Sequence, residues 1–152
     1  MSPETVDAVA LQRIQMRESL TEFRPQLDAG LAGTVDRVTV VVLGSLLHSF
    51  YGGVENILKL LMKGSGGRLP TGPNWHADLL DAFTCALDSW PALLDEDLHR
   101  TLKAYLLFRH VFRTHYLAEL RWASMEPLVR NLESTVDRFE AALDRWLASQ
   151  EP

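Results

Sequence analysis

The stretch FRHVFRTHYL, residues 108–117, sets two arginines, two histidines and a tyrosine within ten positions at the end of an apolar helical run. Arginine can grip a phosphate through two parallel hydrogen bonds and offset the charge that grows on it during reaction. Histidine, which titrates near ~6.5, can take a proton from an attacking hydroxyl or return one to a departing oxygen. These residue types, without a thiol or a metal cluster, suit phosphodiester chemistry. RNA is the apt substrate, because its 2′-hydroxyl is a built-in nucleophile. Other chemistries find less support. Cys85 has no cationic neighbour in sequence, and no GxSxG elbow is present. CxxC and HExxH spacings are absent, as are the glycine patterns that cradle nucleotides, so neither a metal nor a cofactor is expected.

The helical period puts these side chains in an unusual place. With Arg109 at zero and 100 degrees per residue, Leu98, Leu102, Tyr105 and Tyr116 fall within about 40 degrees of it, and Arg113 at about +40. Both arginines therefore extend an apolar face rather than the solvated one. A buried guanidinium without a partner costs several kcal/mol, so each needs an acid or an anionic ligand. Glu55 is the obvious internal acid. It shares a stripe with His48 and Tyr51 in LLHSFYGGVENILKLL, at spacings of three and seven, and the three are candidate substrate-binding residues as well as candidates for plain packing. Gly52 and Gly53 in that stripe suit the close approach of another helix. His110 lies near +100 degrees and His115 near −120, so a straight helix separates the two imidazoles. A helix ending near Arg113, or a second copy of the chain, would bring them together. Trp75 and His76, in GPNWH, fit a core contact and a helix start better than a site.

The elements that must hold these residues read as all helix. The first is expected from Pro3 to Ala29, capped by Ser2 and kinked or ended at Pro25. A second runs from Val35 to Lys63. GSGGRLPTGP, residues 64–73, is a loop by its glycines and prolines. A third helix covers 74–90 with Asn74 as cap, and a fourth opens at Leu94 or Asp95. The fifth spans Met125 to Ala148, with Ser124 as cap and Pro127 in the first turn. An all-α, antiparallel bundle of four or five helices follows, the second and fourth adjacent at its centre. Residues 1–30 form an N-terminal helix packed on a helical domain of residues 31–152.

The chain has 152 residues, enough for one domain with a core. Its net charge of −5 argues against a general polyanion binder. Between His99 and Trp122, however, Arg100, Lys103, Arg109, Arg113 and Arg121 face Glu119 alone. A local basic site sits on an acidic body. The single cysteine fits a reducing cytoplasm, and the acidic N-terminus carries no secretory signal. VTVVVLGSLL, the longest apolar run, is too short to span a membrane and reads as a buried helix.

Three phrases, HSFYGGVENILKLLMK, LPTGPNWHADLLDAF and AYLLFRHVFRTHY, in that order along an all-helical chain, resemble the HepT-like ribonuclease toxins of the HEPN fold. RHVFRTH fits the R-x4-6-H signature of that fold, with a polar residue after the arginine. The resemblance covers about residues 35–147. It implies a bundle that dimerises so that two motifs share a cleft, and metal-independent RNA cleavage leaving a 2′,3′-cyclic phosphate. It also implies a nucleotidyltransferase-type antitoxin that binds the toxin or adenylylates a tyrosine near the motif. On this chain Arg109 would hold the scissile phosphate, His115 would be the catalytic histidine, and His110 the positioning residue. Arg113, by its own chemistry, would add phosphate contact. Tyr116 would be the modified tyrosine. The usual pattern leaves one residue between histidine and tyrosine, whereas Tyr116 follows His115 directly. His115 and His110 thus both remain candidates for the catalytic imidazole. The competing function is a non-catalytic helical adaptor that uses the same basic cleft to bind a nucleotide or a nucleotidyltransferase partner.

Overall fold

The structure, a computed structural model, describes residues 1–87, 90–114 and 120–149. Among the described residues the regular structure is entirely helical: α1 (Pro3–Glu22), α2 (Arg24–Leu31), α3 (Arg37–Gly64), α4 (Trp75–Ala82), α5 (Glu96–Thr114) and α6 (Trp122–Ala148). The four long helices form a bundle around one core, and the two eight-residue helices pack against them, α2 on α1, α3 and α6 and α4 on α3 and α5.

The start and break of the first helix follow its local chemistry. Ser2 Oγ accepts from Thr5 N at 3.3 Å, which satisfies an orphan amide of the first turn. The ring of Pro25 conflicts with helical geometry in the preceding turn, so α1 stops and α2 begins around Phe23. Residues 1–30 share the core of the rest through Val9, Met16, Leu20 and Leu27. They are also tied to α6, where Arg13 bonds Asp144, Arg17 bonds Asp137 and Glu140, and Arg24 bonds Glu133.

Helix α3 is the central element. Asp36 caps it, accepting from Thr39 N at 2.7 Å. All five other helices pack against it. It is long and apolar enough to cross a membrane by length and composition, yet 56% of its most apolar window is buried within the fold. That is the condition of a core helix covered on most sides. The two glycines of its polar stripe behave differently. A Cβ at Gly53 would come within 2.8 Å of Met16 in α1, so this glycine sets the approach of the two helices. A Cβ at Gly52 would meet nothing within 4 Å. Gly52→Ala is therefore expected to raise unfolding stability by about 0.5–1 kcal/mol, as urea denaturation would measure, while Gly53→Ala gains nothing because Met16 must move.

Two expected boundaries shift. The helix expected over 74–90 ends at Ala82. Beyond it the carbonyl of Phe83 accepts from the amides of Leu93 and Leu94, each at 3.0 Å, and Thr84 Oγ1 donates to Asp81 O at 2.7 Å. Those bonds replace the helical ladder. They turn the chain so that Phe83, Trp90, Leu93 and Leu94 enter the core, where Trp146 stacks on Trp90 at 4.1 Å. The last helix starts three residues early, at Trp122, and Ser124 is not its cap. Pro127 consequently lies inside the helix rather than in its first turn, and Trp122 packs close to Gly30 of α2. The start of α5 is as expected: Asp95 Oδ1 accepts from Leu98 N at 2.7 Å.

Candidate functional site

Helix α5 buries Leu98, Leu102, Tyr105 and Leu106 against the bundle. Tyr105 anchors the helix, its hydroxyl donating to Leu128 O at 2.8 Å and its ring meeting Phe50 edge-on at 4.9 Å. Burial pushes that hydroxyl's pKa up to about 12, against a smaller opposing effect of the Thr135 hydroxyl. One turn further, the same face delivers Arg109 toward α3, as the helical period requires.

There Arg109 meets Glu55. The guanidinium is 16% exposed and the carboxylate 3%, with Arg109 Nη2 lying 3.8 Å from Glu55 Oε1. At that separation the two attract but do not form a hydrogen bond. Arg109 Nε is shielded from solvent and has no hydrogen-bond partner among the described residues. Glu55 gathers two further cationic or titratable groups. Lys59, one turn along α3, places Nζ 3.2 Å from Oε1. His76, from α4, donates from Nδ1 to Oε2. Its ring stacks on Trp75 at 3.6 Å, and Lys59 lies over the other ring of that stack, 4.5 Å from the Trp75 centroid.

The rest of the α3 stripe also faces α5. Tyr51 is fully buried with its hydroxyl unpaired among the described residues, and burial with the Glu55 charge raises its pKa well beyond the ordinary value despite the opposing pull of Arg109. His48 packs its ring on Phe112 at 5.0 Å. Burial, and then the charges of Arg109 and Arg113, hold its pKa below the ordinary 6.5. The unfolded chain thus takes up this proton first. The contribution of neutral His48 is complete above the unfolded value and is lost as pH falls through it toward the folded value. Melting temperature is expected to drop on acidification from about pH 7 to about pH 5, and His48→Gln to reduce that drop.

On its outer side Arg109 reaches a solvent-open pocket of about 260 Å³. Pro73, Asn74, His76 and Ala77 form one wall, and Leu106, Leu107, Arg109, His110 and Arg113 the other. The volume falls below the ~300–1,000 Å³ typical of pockets that enclose a small ligand, which suits one linkage of a chain lying across the surface. His110 and Arg113 are exposed on its rim. Arg113 makes no ion pair among the described residues. His48, Tyr51 and Glu55 stand behind Arg109 and do not line the pocket. His115 and Tyr116 lie outside the described residues. A larger surface depression, about 750 Å³ between α1 and α6, is elsewhere. Its Arg13 and Arg17 are already bonded to α6 carboxylates.

His76 is the group that sequence reasoning undervalued. Nothing in the local spacing links it to Glu55, 21 residues away. The signal was only the phrase GPNWH, a histidine at a helix start after a turn. A family model described as HepT-like protein matches residues 42–149, which include Glu55, His76, Arg109 and His110. No curated protein and no solved structure matches the chain.

Proposed function

The chain belongs to the HepT-like family, and from that membership we propose that it is a metal-independent endoribonuclease, the toxin component of a toxin–antitoxin pair. One observation carries the reading. Arg109 has only a long ion pair among the described residues, and it opens onto a pocket shared with Arg113, His110 and His76. A guanidinium in that condition has donors left for a phosphate.

In the proposed reaction the RNA backbone crosses the pocket, and Arg109 and Arg113 take its phosphate oxygens. The 2′-oxygen attacks phosphorus while a histidine accepts its proton. The bond from phosphorus to the 5′-oxygen breaks, and that oxygen leaves as a hydroxyl after taking a proton. A 2′,3′-cyclic phosphate remains on the other fragment. The arginines supply charge stabilisation and the imidazoles move protons. His110 and His115 are the motif histidines for this work, and Tyr116 is the proposed target of the nucleotidyltransferase-type antitoxin. A homodimer is proposed across the outer face of α5, where Leu107 and Val111 are 61% and 45% exposed beside an apolar depression of about 440 Å³. An RNA substrate makes the cytoplasm the proposed location.

The test is incubation of the purified chain with mixed-sequence RNA in EDTA. The expected result is cleavage with cyclic-phosphate ends. Intact RNA, or cleavage only when divalent metal is restored, would overturn the reading. The alternative, a non-catalytic adaptor, draws support from the partial neutralisation of Arg109 by Glu55. It predicts nucleotide or partner binding in the same assay with no turnover.

A further inference from the structure

A cleavage through the 2′-hydroxyl needs two proton movements, one from the attacking oxygen and one to the departing oxygen. The signature on α5 offers His110 from one side of the pocket. The opposite wall, built by α4, carries a histidine of its own, and its surroundings are those of a group held for proton transfer. Building on the ribonuclease reading, we propose that His76, oriented by the buried carboxylate of Glu55, is the base that takes the proton from the 2′-hydroxyl.

Three observations meet in this residue. First, an ionised carboxylate only accepts hydrogen bonds, so Nδ1 of His76 must carry the proton it shares with Glu55 Oε2. With Nδ1 engaged by Glu55, Nε2 is the ring nitrogen left to accept a proton, and it has no hydrogen-bond partner among the described residues. Second, the ring cannot turn freely. It is stacked on Trp75 at 3.6 Å, and its side chain, 24% exposed, lines the pocket without lying loose on the surface. Third, the acid that orients His76 with one oxygen faces Arg109 with the other. A single buried side chain thereby sets the spacing between the base and the phosphate-binding arginine. A carboxylate behind an imidazole fixes its tautomer and stabilises the imidazolium formed when it accepts a proton. The charged and titratable groups around His76 among the described residues include Glu55 and Lys59 from α3 and Arg109, His110 and Arg113 from α5.

The step balances. The 2′-hydroxyl proton passes to Nε2 as the oxygen–phosphorus bond forms. The bond to the 5′-oxygen breaks, and that oxygen takes a proton from His110, the signature histidine among the described residues. Water returns a proton from His76 to that histidine before the next turnover. Glu55 touches neither substrate nor reacting atoms and is a positioning residue.

His76→Asn separates this role from a structural one, because the asparagine amide can still donate to Glu55 but cannot accept the proton. The expected result is a fall in kcat of ~10²–10⁴-fold, with unchanged melting temperature and unchanged affinity for a cleavage-resistant 2′-deoxy RNA. Glu55→Gln should lower kcat with KM held, and imidazole in the buffer should restore part of the activity of His76→Gly. In the wild-type chain, binding of the 2′-deoxy RNA should shift the Nε2 resonance of His76 in a nitrogen-15 spectrum. That measurement needs no variant to fold. Full cleavage by folded His76→Asn beside an inactive Arg109→Ala would overturn this proposal alone. An unshifted Nε2 resonance on bound RNA would do the same. Intact RNA with the wild-type chain would overturn it together with the ribonuclease reading.

Discussion

Arg109→Ala is expected to lower RNA cleavage by ~10²–10³-fold, the usual cost of removing one donor aimed at developing transition-state charge. The loss should fall mainly on kcat. Arg113 and His110 remain on the pocket rim to hold the RNA, whereas the partly desolvated position is filled by Arg109 alone. Low dielectric around that position strengthens its effect on the phosphate. The fold should survive the change. Glu55 keeps Lys59 at 3.2 Å and its bond from His76, so no lone buried charge is created. Arg109→Lys should recover little, since one ammonium cannot reproduce the two-pronged grip. Steady-state kinetics in EDTA, with circular dichroism to follow melting, would check both halves. A variant that cleaves at the wild-type rate would remove Arg109 from the mechanism.

Trp146→Ala should cause the largest loss of stability, about 3–5 kcal/mol. The side chain is 2% exposed and among the largest in the core. It stacks on Trp90 at 4.1 Å, meets Phe83 edge-on at 6.3 Å, and donates from Nε1 to Pro91 O at 2.7 Å. Removing it leaves a cavity and an unpaired carbonyl at once. For a chain of this size the melting temperature should fall by roughly 10 °C or more. Trp146→Phe keeps much of the packing but not the hydrogen bond, and should cost roughly half as much. Urea unfolding of the three proteins would rank them. Because Phe83 and Leu94 lead into α5, the same loss should loosen the chain that precedes the site helix.

Much of the bundle is written in short-range chemistry. Ser2, Asp36 and Asp95 cap helices where they stand, and Pro25 breaks one where its ring demands it. The apolar period of α3 and α5 was enough to make them neighbours and to turn Arg109 toward Glu55. The contact of Lys59 with Glu55, one turn away, follows from the same period. What escaped local reading depends on distant partners. Helix α4 ends early because the carbonyl of Phe83 bonds to residues ten and eleven positions later. His76 reaches Glu55 only after the chain reverses through 64–74. Gly52 and Gly53 look alike in sequence and differ only in whether Met16 sits against them. His115 and Tyr116 lie outside the described residues, so their link to Arg109 rests on the motif.

The sharing of one acid by three cationic or titratable partners is unequal in its consequences over time. A lineage that loses Arg109 still balances Glu55 with Lys59 and His76, and its bundle stands. A lineage that loses Glu55 first leaves Arg109, Lys59 and His76 crowded together with no counter-charge. Inert descendants should therefore arise by shedding the arginine while the glutamate persists, and a silent binding module would keep the acid as the relic of a spent active site.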